Sequence, residues 1–317
     1  MAPRAPALVD MPVIAPMLAW PGPLPERPQE WAFEVKFDGM RVVAYLDGTG
    51  GLHLRARNGS SAVERFPELA ELLDLLPGRS IVLDGEVIAA DPRGRPSFGL
   101  LQERMTLRRP AQIKEAMHVV PVTLMVFDVL WLDGRPLTGM TYRGRREVLE
   151  SLALAGERVL VPPAWPGSAA QQALAWTREQ GLEGLIGKRL ASTYQPGART
   201  RDWVKIKHVR SLDVVVGGWV STGRSATVKS LLLGVPGEAG LRYLGRVGTG
   251  FSQPERRVLA ALLRRHGSGT SPFAGALESP DPGESIRFVE PVLRAEVEFL
   301  EFTDRGHLRQ PIWKRLL

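Results

Sequence analysis

Lysine is the scarce basic residue in this chain of 317 residues. Only seven of its 41 basic side chains are lysine, and the other 34 are arginine. An arginine keeps its proton in a protein, whereas a lysine amine can be made neutral by its surroundings and then act as a nucleophile. The positions that keep lysine are therefore candidates for chemistry: Lys36, Lys114, Lys188, Lys205, Lys207, Lys229 and Lys314.

The first of these, Lys36, lies at the end of a β-like run, directly before an Asp38-Gly39 turn signal. It could be an exposed charge beside an ordinary turn. It could also be a nucleophilic amine whose neutral form is favoured by nearby cations. In that second case Arg41, five positions further on, could hold a phosphate.

The later lysines lie on two strand-like segments. In the first segment, alternation places Glu183 and Lys188 on opposite faces, where they could hold Mg²⁺ and a phosphate or simply flank an apolar strand. In the second, Lys205 and Lys207 share one face behind Trp203. Such a like-charge pair destabilises a strand unless an anion lies between the two amines.

Further candidates lie on other predicted strands. Asp84 and Glu86 interrupt an apolar run. Because burying an unpaired carboxylate is energetically unfavourable, they indicate either an exposed bulge or a metal or ribose ligand. Arg57 ends a strand and suits a phosphate or a solvated edge. Phe127 lies in an apolar strand predicted at residues 122–132, where core packing and stacking on a base are both compatible with its position.

The common nucleotide-binding motifs are absent. The only Gly-Lys pair, Gly187-Lys188, has Leu182 where a P-loop needs its first glycine and Arg189 where it needs Ser or Thr. Gly248-Thr249-Gly250 lacks the third glycine of a dinucleotide fingerprint. Nucleotide binding therefore requires another architecture.

Composition narrows the class of protein further. Zero cysteines exclude disulfides, thiolate zinc sites and cysteine nucleophiles, which leaves carboxylates and five histidines for a Mg²⁺-like metal. A net charge of +7 favours a polyanionic partner, although a charge for solubility alone is an alternative. The sequence offers no apolar run long enough for a signal peptide or a membrane helix, so the expected compartment is the cytoplasm.

These candidates must be positioned by two domains. Short β-like runs alternate with turns after a Pro-rich lead at residues 1–28, and helices are predicted at 63–76, 145–154 and 169–180. We therefore predict an α+β domain with mixed or antiparallel sheets at residues 29–207. The strand-length runs within residues 208–317 predict a small β-barrel with one helix at 255–266 and a long surface loop at 267–283.

Taken in order, the segments resemble the ATP-dependent DNA ligases of the covalent nucleotidyltransferase superfamily, and the bacterial end-joining type in particular. The resemblance rests on EVKFDGMR at 34–41, RNG at 57–59, LDGE at 83–86, FDVL at 127–130, EGLIGKR at 183–189 and DWVKIK at 202–207. It continues at residues 217–219, 231–234 and 245–251. It implies a nucleotidyltransferase (adenylation) domain followed by a C-terminal OB-fold.

The resemblance also implies a reaction. Lys36 attacks the α-phosphorus of ATP and carries AMP, which passes to the 5′-phosphate of a DNA break before the 3′-hydroxyl displaces it. The implied phosphate-binding cations are Arg41, Arg57, Lys188, Arg199, Lys205 and Lys207. The other implied roles are metal ligation by Glu183 and by Glu86 near the ribose, adenine stacking by Phe127, recognition of the adenine edge by Glu34 through its backbone, and orientation of the 3′-hydroxyl by Asp38.

The C-terminal segment 309–315 resembles the motif that orients pyrophosphate, but Gln310 stands where histidine is commoner. The implied cofactors are ATP and Mg²⁺ or Mn²⁺. The implied partner is nicked or broken duplex DNA, bound by a cytoplasmic, nucleoid-associated monomer, with repair or end-joining proteins acting in trans.

Three alternatives remain beside this interpretation. They are an RNA ligase, a GTP-dependent capping-type nucleotidyltransferase and a catalytically idle nucleic-acid-binding protein. An NAD-dependent ligase is disfavoured because that family carries a Cys-rich zinc module and this chain has no cysteine.

Overall fold

The computed structural model describes residues 11–222, 227–275, 277, 283–300, 302–303 and 305–317. The chain divides into two compact units, and the division falls between Lys207 and His208. No helix in the described part of the chain is long and apolar enough to cross a membrane.

The first unit contains eleven strands and five α-helices among its described residues. The strands are β1 (Leu18–Pro21), β2 (Trp31–Val35), β3 (Met40–Asp47), β4 (Leu52–Ala56), β5 (Ser80–Ala89), β6 (Val122–Leu132), β7 (Arg135–Pro136), β8 (Val159–Leu160), β9 (Ala164–Pro166), β10 (Gly184–Arg189) and β11 (Arg199–Lys207). The helices are α1 (Glu71–Leu75), α2 (Phe98–Thr106), α3 (Pro110–Val119), α4 (Tyr142–Ser151) and α5 (Ala170–Glu179).

These strands form two sheets. The larger has the order β4-β3-β5-β6-β7 with β8 beside β6, and the smaller has the order β1-β11-β10-β2-β9. Neighbouring strands are antiparallel except that β8 runs parallel to β6 and β1 runs parallel to β11. Strands next to each other in the sheets are often far apart along the chain, so each sheet gathers residues from distant segments.

Strand β3 shows how the larger sheet is buried on both faces. Val42 and Ala44 point into the main apolar core, whereas Val43 and Tyr45 point into a second cluster. That second cluster also contains Trp203 of the smaller sheet. The near-continuous apolar sequence of β3 follows from this burial on both faces, because successive side chains of a strand point in opposite directions.

The helix predicted at 63–76 is wrong for most of its length. Residues Val63–Arg65 and Pro67–Ala70 form two separate 3₁₀ turns, and only Glu71–Leu75 is α-helical. Pro67 has no backbone N–H to donate and disfavours a helical conformation at the residue before it, so the amphipathic pattern is interrupted there.

Helices α2 and α3 were not anticipated from the sequence. The Ser97 side chain caps α2 by accepting a hydrogen bond from the Leu100 backbone N–H at 3.4 Å. Pro110 begins α3, where a missing N–H is harmless. Both start signals are short, and neither helix is strongly amphipathic by sequence.

The segment of residues 11–21 packs against the sheets of the first unit, to which it belongs. Met11, Ile14 and Met17 are buried beside Trp203, and β1 continues from them along β11. Two tyrosine hydroxyls fasten this segment, because the backbone N–H of Ile14 donates to Tyr45 at 3.0 Å and that of Met17 donates to Tyr194 at 2.8 Å.

The described residues of the second unit form a curled antiparallel sheet with one α-helix. Its elements are β12 (Arg210–Thr222), β13 (Val228–Gly237), β14 (Gly240–Val247), α6 (Gln253–Arg265), β15 (Gly267–Ser268), β16 (Glu284–Phe299) and β17 (Ile312–Leu316). The strand order is β14-β13-β12-β16-β15, and β17 also pairs with β16. Helix α6 begins with a capping box between Ser252 and Glu255.

The loop predicted at 267–283 is more anchored than a plain surface loop. It begins as the short strand β15, and Phe273 is buried. A Cβ atom on Gly217 of β12 would lie 2.5 Å from the Phe273 ring, so glycine at this position makes room for that ring. Residues 276 and 278–282 of the loop lie outside the described residues.

Candidate active site

A pocket lies in the first unit between its two sheets. Its lining includes six residues that the sequence analysis singled out: Glu34, Lys36, Arg41, Glu86, Phe127 and Lys188. These residues come from β2, β3, β5, β6, β10 and the turn after β2. Ala19, Ile186 and Trp203 line it as well, although none of them was expected at the site.

Lys36 lies at the mouth of this pocket, one residue beyond the end of β2. Its backbone N–H donates to the Gly184 carbonyl at 2.9 Å, which fixes the turn against β10. Its amine forms a short ion pair with Glu183, and the second oxygen of that carboxylate lies 2.6 Å from the Lys207 amine. Burial acts to raise the pKa of Glu183, but Lys36 and Lys207 hold it below its usual value.

The anion required by the Lys205 and Lys207 pair is therefore supplied in part by the protein itself, as Glu183. Even so, positive charge remains in excess. The pKa of Lys205 is lowered by burial and by the charges of Lys207, Arg199 and Lys36. A phosphate group placed among these cations would relieve their mutual repulsion.

On the pocket floor, Arg41 is held by Asp84. Its Nε and Nη2 atoms donate to the two carboxylate oxygens at 2.5 and 2.6 Å, and Asp84 is fully buried. The Tyr194 hydroxyl donates to the same carboxylate at 2.6 Å. Asp84 is thus a paired internal carboxylate, so the exposed-bulge interpretation is wrong for it.

Glu86 is two residues further along β5 and faces the pocket. Burial raises its pKa to about 7, even though Arg41 and Lys36 act to lower it. The negative charges of Asp84 and Asp38 act in the same direction as burial. Glu86 therefore has a carboxyl group that gains or loses its proton near neutral pH.

A second buried network surrounds Lys188. Its amine lies 2.8 Å from Glu34 Oε2 and donates to the Phe127 carbonyl at 3.0 Å. The amine also lies 4.5 Å from the centre of the Phe127 ring and 4.4 Å from that of Trp203. Burial lowers the pKa of Lys188.

Glu34 accepts one more strong hydrogen bond, from the Tyr142 hydroxyl at 2.5 Å. Because its carboxylate is engaged by Tyr142 and Lys188, the side chain of Glu34 is committed to protein partners. Its backbone lies in β2, opposite Ile186 of β10 on one side and Ala164 of β9 on the other.

The remaining candidates lie around or away from the pocket. The charged group around the Lys36 amine, which we call the rim, consists of Glu183, Arg199, Lys205 and Lys207, and none of these four lines the pocket itself. Arg199 also donates to the Ala19 carbonyl at 2.8 Å. Asp38 lies in the turn after β2, where its charge acts on Glu86. Arg57 is exposed in the turn after β4 and does not line the pocket.

Sequence reasoning missed four residues that support the pocket: Tyr142, Arg146, Tyr194 and Trp203. Trp203 had a usable signal, since it shares a strand face with Lys205. The tyrosines had none, because Tyr142 lies 108 residues from Glu34 and Tyr194 lies 110 residues from Asp84. No local pattern relates partners so far apart.

The donor set for a metal is small. The described residues contain no group of three or more histidine, aspartate or glutamate side chains placed to hold an ion. Mg²⁺ is often held by one or two carboxylates together with substrate phosphates and waters. Glu86 and Glu183 fit that kind of shared site, because both are carboxylates beside the cations that would receive phosphates.

Comparison with known proteins agrees with this geometry. Residues 16–207 match the ATP dependent DNA ligase domain, and residues 224–316 match the ATP dependent DNA ligase C terminal region. Because the first match alone covers more than half of the chain, this protein belongs to the family of ATP-dependent DNA ligases.

Individual relatives place the chain more closely within this family. It is 42% identical over 306 residues to the multifunctional non-homologous end joining DNA repair protein LigD of Mycobacterium tuberculosis. That alignment covers 96% of this chain but only 38% of the relative, so the chain spans about two fifths of that protein's length.

Two solved structures match nearly end to end. The ligase domain of Mycobacterium tuberculosis LigD is 40% identical with a TM-score of 0.56, and 96% of this chain and 95% of that chain are covered. A mycobacterial DNA ligase D complexed with ATP and MES is 39% identical with the same TM-score and the same coverage. The predicted fold class is confirmed: an α+β nucleotidyltransferase with antiparallel sheets and a C-terminal sheet of OB type.

Proposed function

We propose that this protein seals breaks between a 3′-hydroxyl and a 5′-phosphate in duplex DNA, using ATP and a lysyl-AMP intermediate on Lys36. The observation that carries the proposal is the position of the Lys36 amine, at the mouth of a pocket and beside an excess of positive charge. Family membership favours this activity over those of an RNA ligase, a capping enzyme or an idle binding protein.

The first step requires Lys36 in its neutral form. The nitrogen attacks the α-phosphorus of ATP, a P–N bond forms, the bond to the bridging oxygen breaks and pyrophosphate leaves, while the amine loses its extra proton. Lys205, Lys207 and Arg199 stabilise the negative charge that develops on the phosphate oxygens. Arg57 and the segment 309–315 are further candidates for phosphate contacts.

The later steps return Lys36 to its free state. An oxygen of the DNA 5′-phosphate attacks the phosphorus of lysyl-AMP, so the P–N bond breaks and the amine regains a proton. The 3′-hydroxyl, oriented by Asp38, then attacks the 5′-phosphate and AMP leaves. In-line positioning and cationic side chains supply the catalysis in each step.

Residues in the pocket interior bind the adenosine part of the nucleotide. The Phe127 ring stacks on the adenine, the Glu34 backbone contacts the edge of the base, and Glu86 lies near the ribose. The floor of the pocket consists of two ion pairs. Arg41 binds Asp84, and Lys188 binds Glu34. Glu86 and Glu183 would hold Mg²⁺, which supplies charge neutralisation to the phosphates when bound.

We also propose a domain organisation for the chain and a cellular setting for its activity. Residues 29–207 act as the adenylation domain and residues 208–317 as an OB-fold, with residues 1–28 as a lead. The protein works as a cytoplasmic, nucleoid-associated monomer in DNA repair or end joining, with other repair proteins in trans. The similarity to LigD of Mycobacterium tuberculosis supports the end-joining setting.

The test is the intact mass of protein stripped with pyrophosphate and then given Mg²⁺ with ATP or, separately, with GTP. Wild-type protein should gain the mass of AMP from ATP alone. Lys36→Arg should gain nothing, because arginine keeps the positive charge beside Glu183 but cannot act as a nucleophile.

Lys114→Arg is the matched control, since Lys114 is exposed on α3 and away from the pocket. It should be adenylylated like the wild type. A GMP-sized gain would move the activity to capping chemistry, and folded wild-type protein that gains no mass would refute the proposed reaction.

A further inference from the structure

The segment 309–315 of the second unit begins with a strained turn. Gln310 has a φ of +50°, and a residue other than glycine keeps such a conformation only where the surrounding structure holds it there. The next residue, Pro311, restricts the backbone of Gln310 further. After this turn the chain enters β17, in which Trp313 is buried. The contacts around the turn therefore set the position of the whole segment.

Thr249, in the loop after β14, holds the segment at two points beyond the turn. Its carbonyl accepts a hydrogen bond from the Trp313 backbone N–H at 3.0 Å, and its hydroxyl donates to the Pro311 carbonyl at 3.2 Å. Before the turn, the Leu300 backbone N–H donates to the Arg309 carbonyl at 3.1 Å. The strained residue thus lies between two fixed points, and one of them depends on the Thr249 hydroxyl.

The loop approaches the segment this closely because Gly250 follows Thr249. Gly250 has a φ of +95°, and a Cβ atom on it would lie 2.4 Å from the Trp313 carbonyl oxygen. The Phe251 ring packs against Trp313 with the ring centres 5.1 Å apart. The guanidinium of Arg256, at the start of α6, lies 4.9 Å from the centre of the Phe251 ring. The loop is therefore held from α6 as well as from β17, as a support for another segment must be.

We propose that Thr249 is a positioning residue for the first step of the reaction, and that it holds the segment 309–315 in the orientation that the departing pyrophosphate requires. This inference rests on the proposed function, in which that segment contacts the phosphates of ATP. The segment is needed only while pyrophosphate is being released. Loosening it should therefore slow the transfer of AMP to Lys36 and should leave the sealing of an already adenylylated DNA end unchanged.

Three variants separate the hydroxyl from the rest of the side chain. Thr249→Val removes the hydroxyl and keeps the volume and branching, whereas Thr249→Ser keeps the hydroxyl. Thr270→Val is the matched control, because Thr270 is another exposed threonine of the second unit and its hydroxyl oxygen lies 3.3 Å from Ser268 Oγ. Any difference between the two valine variants therefore reports the place of the hydroxyl rather than the loss of a threonine.

The experiment uses the whole chain and follows three rates. Single-turnover adenylylation with saturating ATP and Mg²⁺, measured by intact mass, should be about fivefold slower in Thr249→Val, the loss expected for one neutral hydrogen bond. Release of AMP from the adenylylated protein by pyrophosphate should slow by a similar factor, because the forward and reverse reactions share one transition state. Sealing of a nicked duplex with a pre-adenylylated 5′ end should be unchanged. Thr249→Ser and Thr270→Val should match the wild type in all three rates.

Three results would overturn the positioning role of Thr249. In the first, Thr249→Val is adenylylated as fast as Thr270→Val. In the second, sealing of the pre-adenylylated nick slows as much as adenylylation does, which would indicate a contact with DNA or a general disturbance of the second unit. In the third, Thr249→Ser is as slow as Thr249→Val, so that the hydroxyl is not the group that matters. Melting temperatures check the folding of each variant, and Thr249→Ala tests the same hydroxyl if Thr249→Val is unstable.

The wild-type sample separates this inference from the proposed function. If the wild type is adenylylated and Thr249→Val reacts at the same rate, only the role of Thr249 fails. If the folded wild type is not adenylylated by ATP, the proposed function fails and the role of Thr249 fails with it.

Discussion

The floor and the rim of the pocket use the same residue types in different ways. On the floor, Asp84 and Glu34 each bind a cation and a tyrosine hydroxyl, so these two carboxylates are satisfied inside the protein. On the rim, the single carboxylate of Glu183 is shared by two lysines, and further positive charge lies around it. The floor charges are thus balanced within the protein, whereas the rim carries an excess of positive charge.

One pocket can thus combine a fixed shape with a reactive group. A buried charge without its partner is very unfavourable, so the floor networks must form for the unit to fold at all. The rim is partly exposed, so water compensates its unbalanced charge until a phosphate arrives. Changes to the rim should therefore alter chemistry, and changes to the floor should alter stability as well.

The largest effect is expected from Glu183→Gln on the rim. The neutral amide no longer holds the Lys36 amine in place, so the rate of adenylylation should fall about 100-fold. The free energy of unfolding should change by less than about 1 kcal/mol, because the pair is partly exposed. Single-turnover mass spectrometry and urea denaturation measure the two quantities.

Glu30→Gln is the control for Glu183→Gln. Glu30 pairs with Arg189 at 3.1 Å on the surface of the same unit. Removing that charge should leave adenylylation unchanged. Equal losses of rate in both variants would show that the rim has no special role.

An intermediate effect is expected from the floor, and two tyrosines allow a close comparison. Tyr194 and Tyr45 both hold the segment of residues 11–21, but only Tyr194 also donates to Asp84, the partner of Arg41. Replacing either by Phe should lower the free energy of unfolding by about 1–2 kcal/mol, because each leaves buried partners without a hydrogen bond.

Only Tyr194→Phe should also raise the KM for ATP, since Asp84 then holds Arg41 less firmly. Urea denaturation and the ATP dependence of adenylylation give the two readouts. Similar KM values for Tyr194→Phe and Tyr45→Phe would argue that the floor does not position the nucleotide.

The smallest effect concerns the pH dependence of stability through Glu86. Because burial raises its pKa to about 7 in the folded protein, the folded state holds this proton at pH values where the unfolded chain has lost it. The contribution of Glu86 to stability should therefore be greatest at low pH and fall as pH rises towards 7.

Glu86→Gln removes this dependence. The free energy of unfolding of the wild type relative to Glu86→Gln should decrease by about 1 kcal/mol between pH 5 and pH 6. Urea denaturation at the two pH values measures it. A relative stability that increases over this range would mean that the carboxyl is ionised and paired in the folded protein.

Particular elements show how far the sequence could be interpreted. Strand β6 was predicted at 122–132 and observed there, because an apolar run bounded by Pro121 and Asp133-Gly134 has one simple interpretation. The helix at 63–76 was wrong because Pro67 outweighed a helical pattern. Helices α2 and α3 were missed because their apolar periodicity is weak and their start signals are short.

The candidate site shows the same division. Lys36, Arg41, Glu86, Phe127 and Lys188 could be chosen from motifs, and the structure places all five at one pocket. Whether Phe127 packs or stacks could not be decided from the strand alone. In the structure Phe127 is 9% exposed, so it packs within the core and also borders the pocket.

The residue types alone indicate which side chains are able to do this chemistry, because a rare lysine among many arginines marks a need for an amine that can lose its proton. Which charges pair follows from the fold. Asp84 could have met any of several arginines, and it meets Arg41 because β3 and β5 are neighbours in one sheet. Pairing depends on distances in the folded chain, and residues more than a hundred positions apart carry no local pattern that encodes those distances.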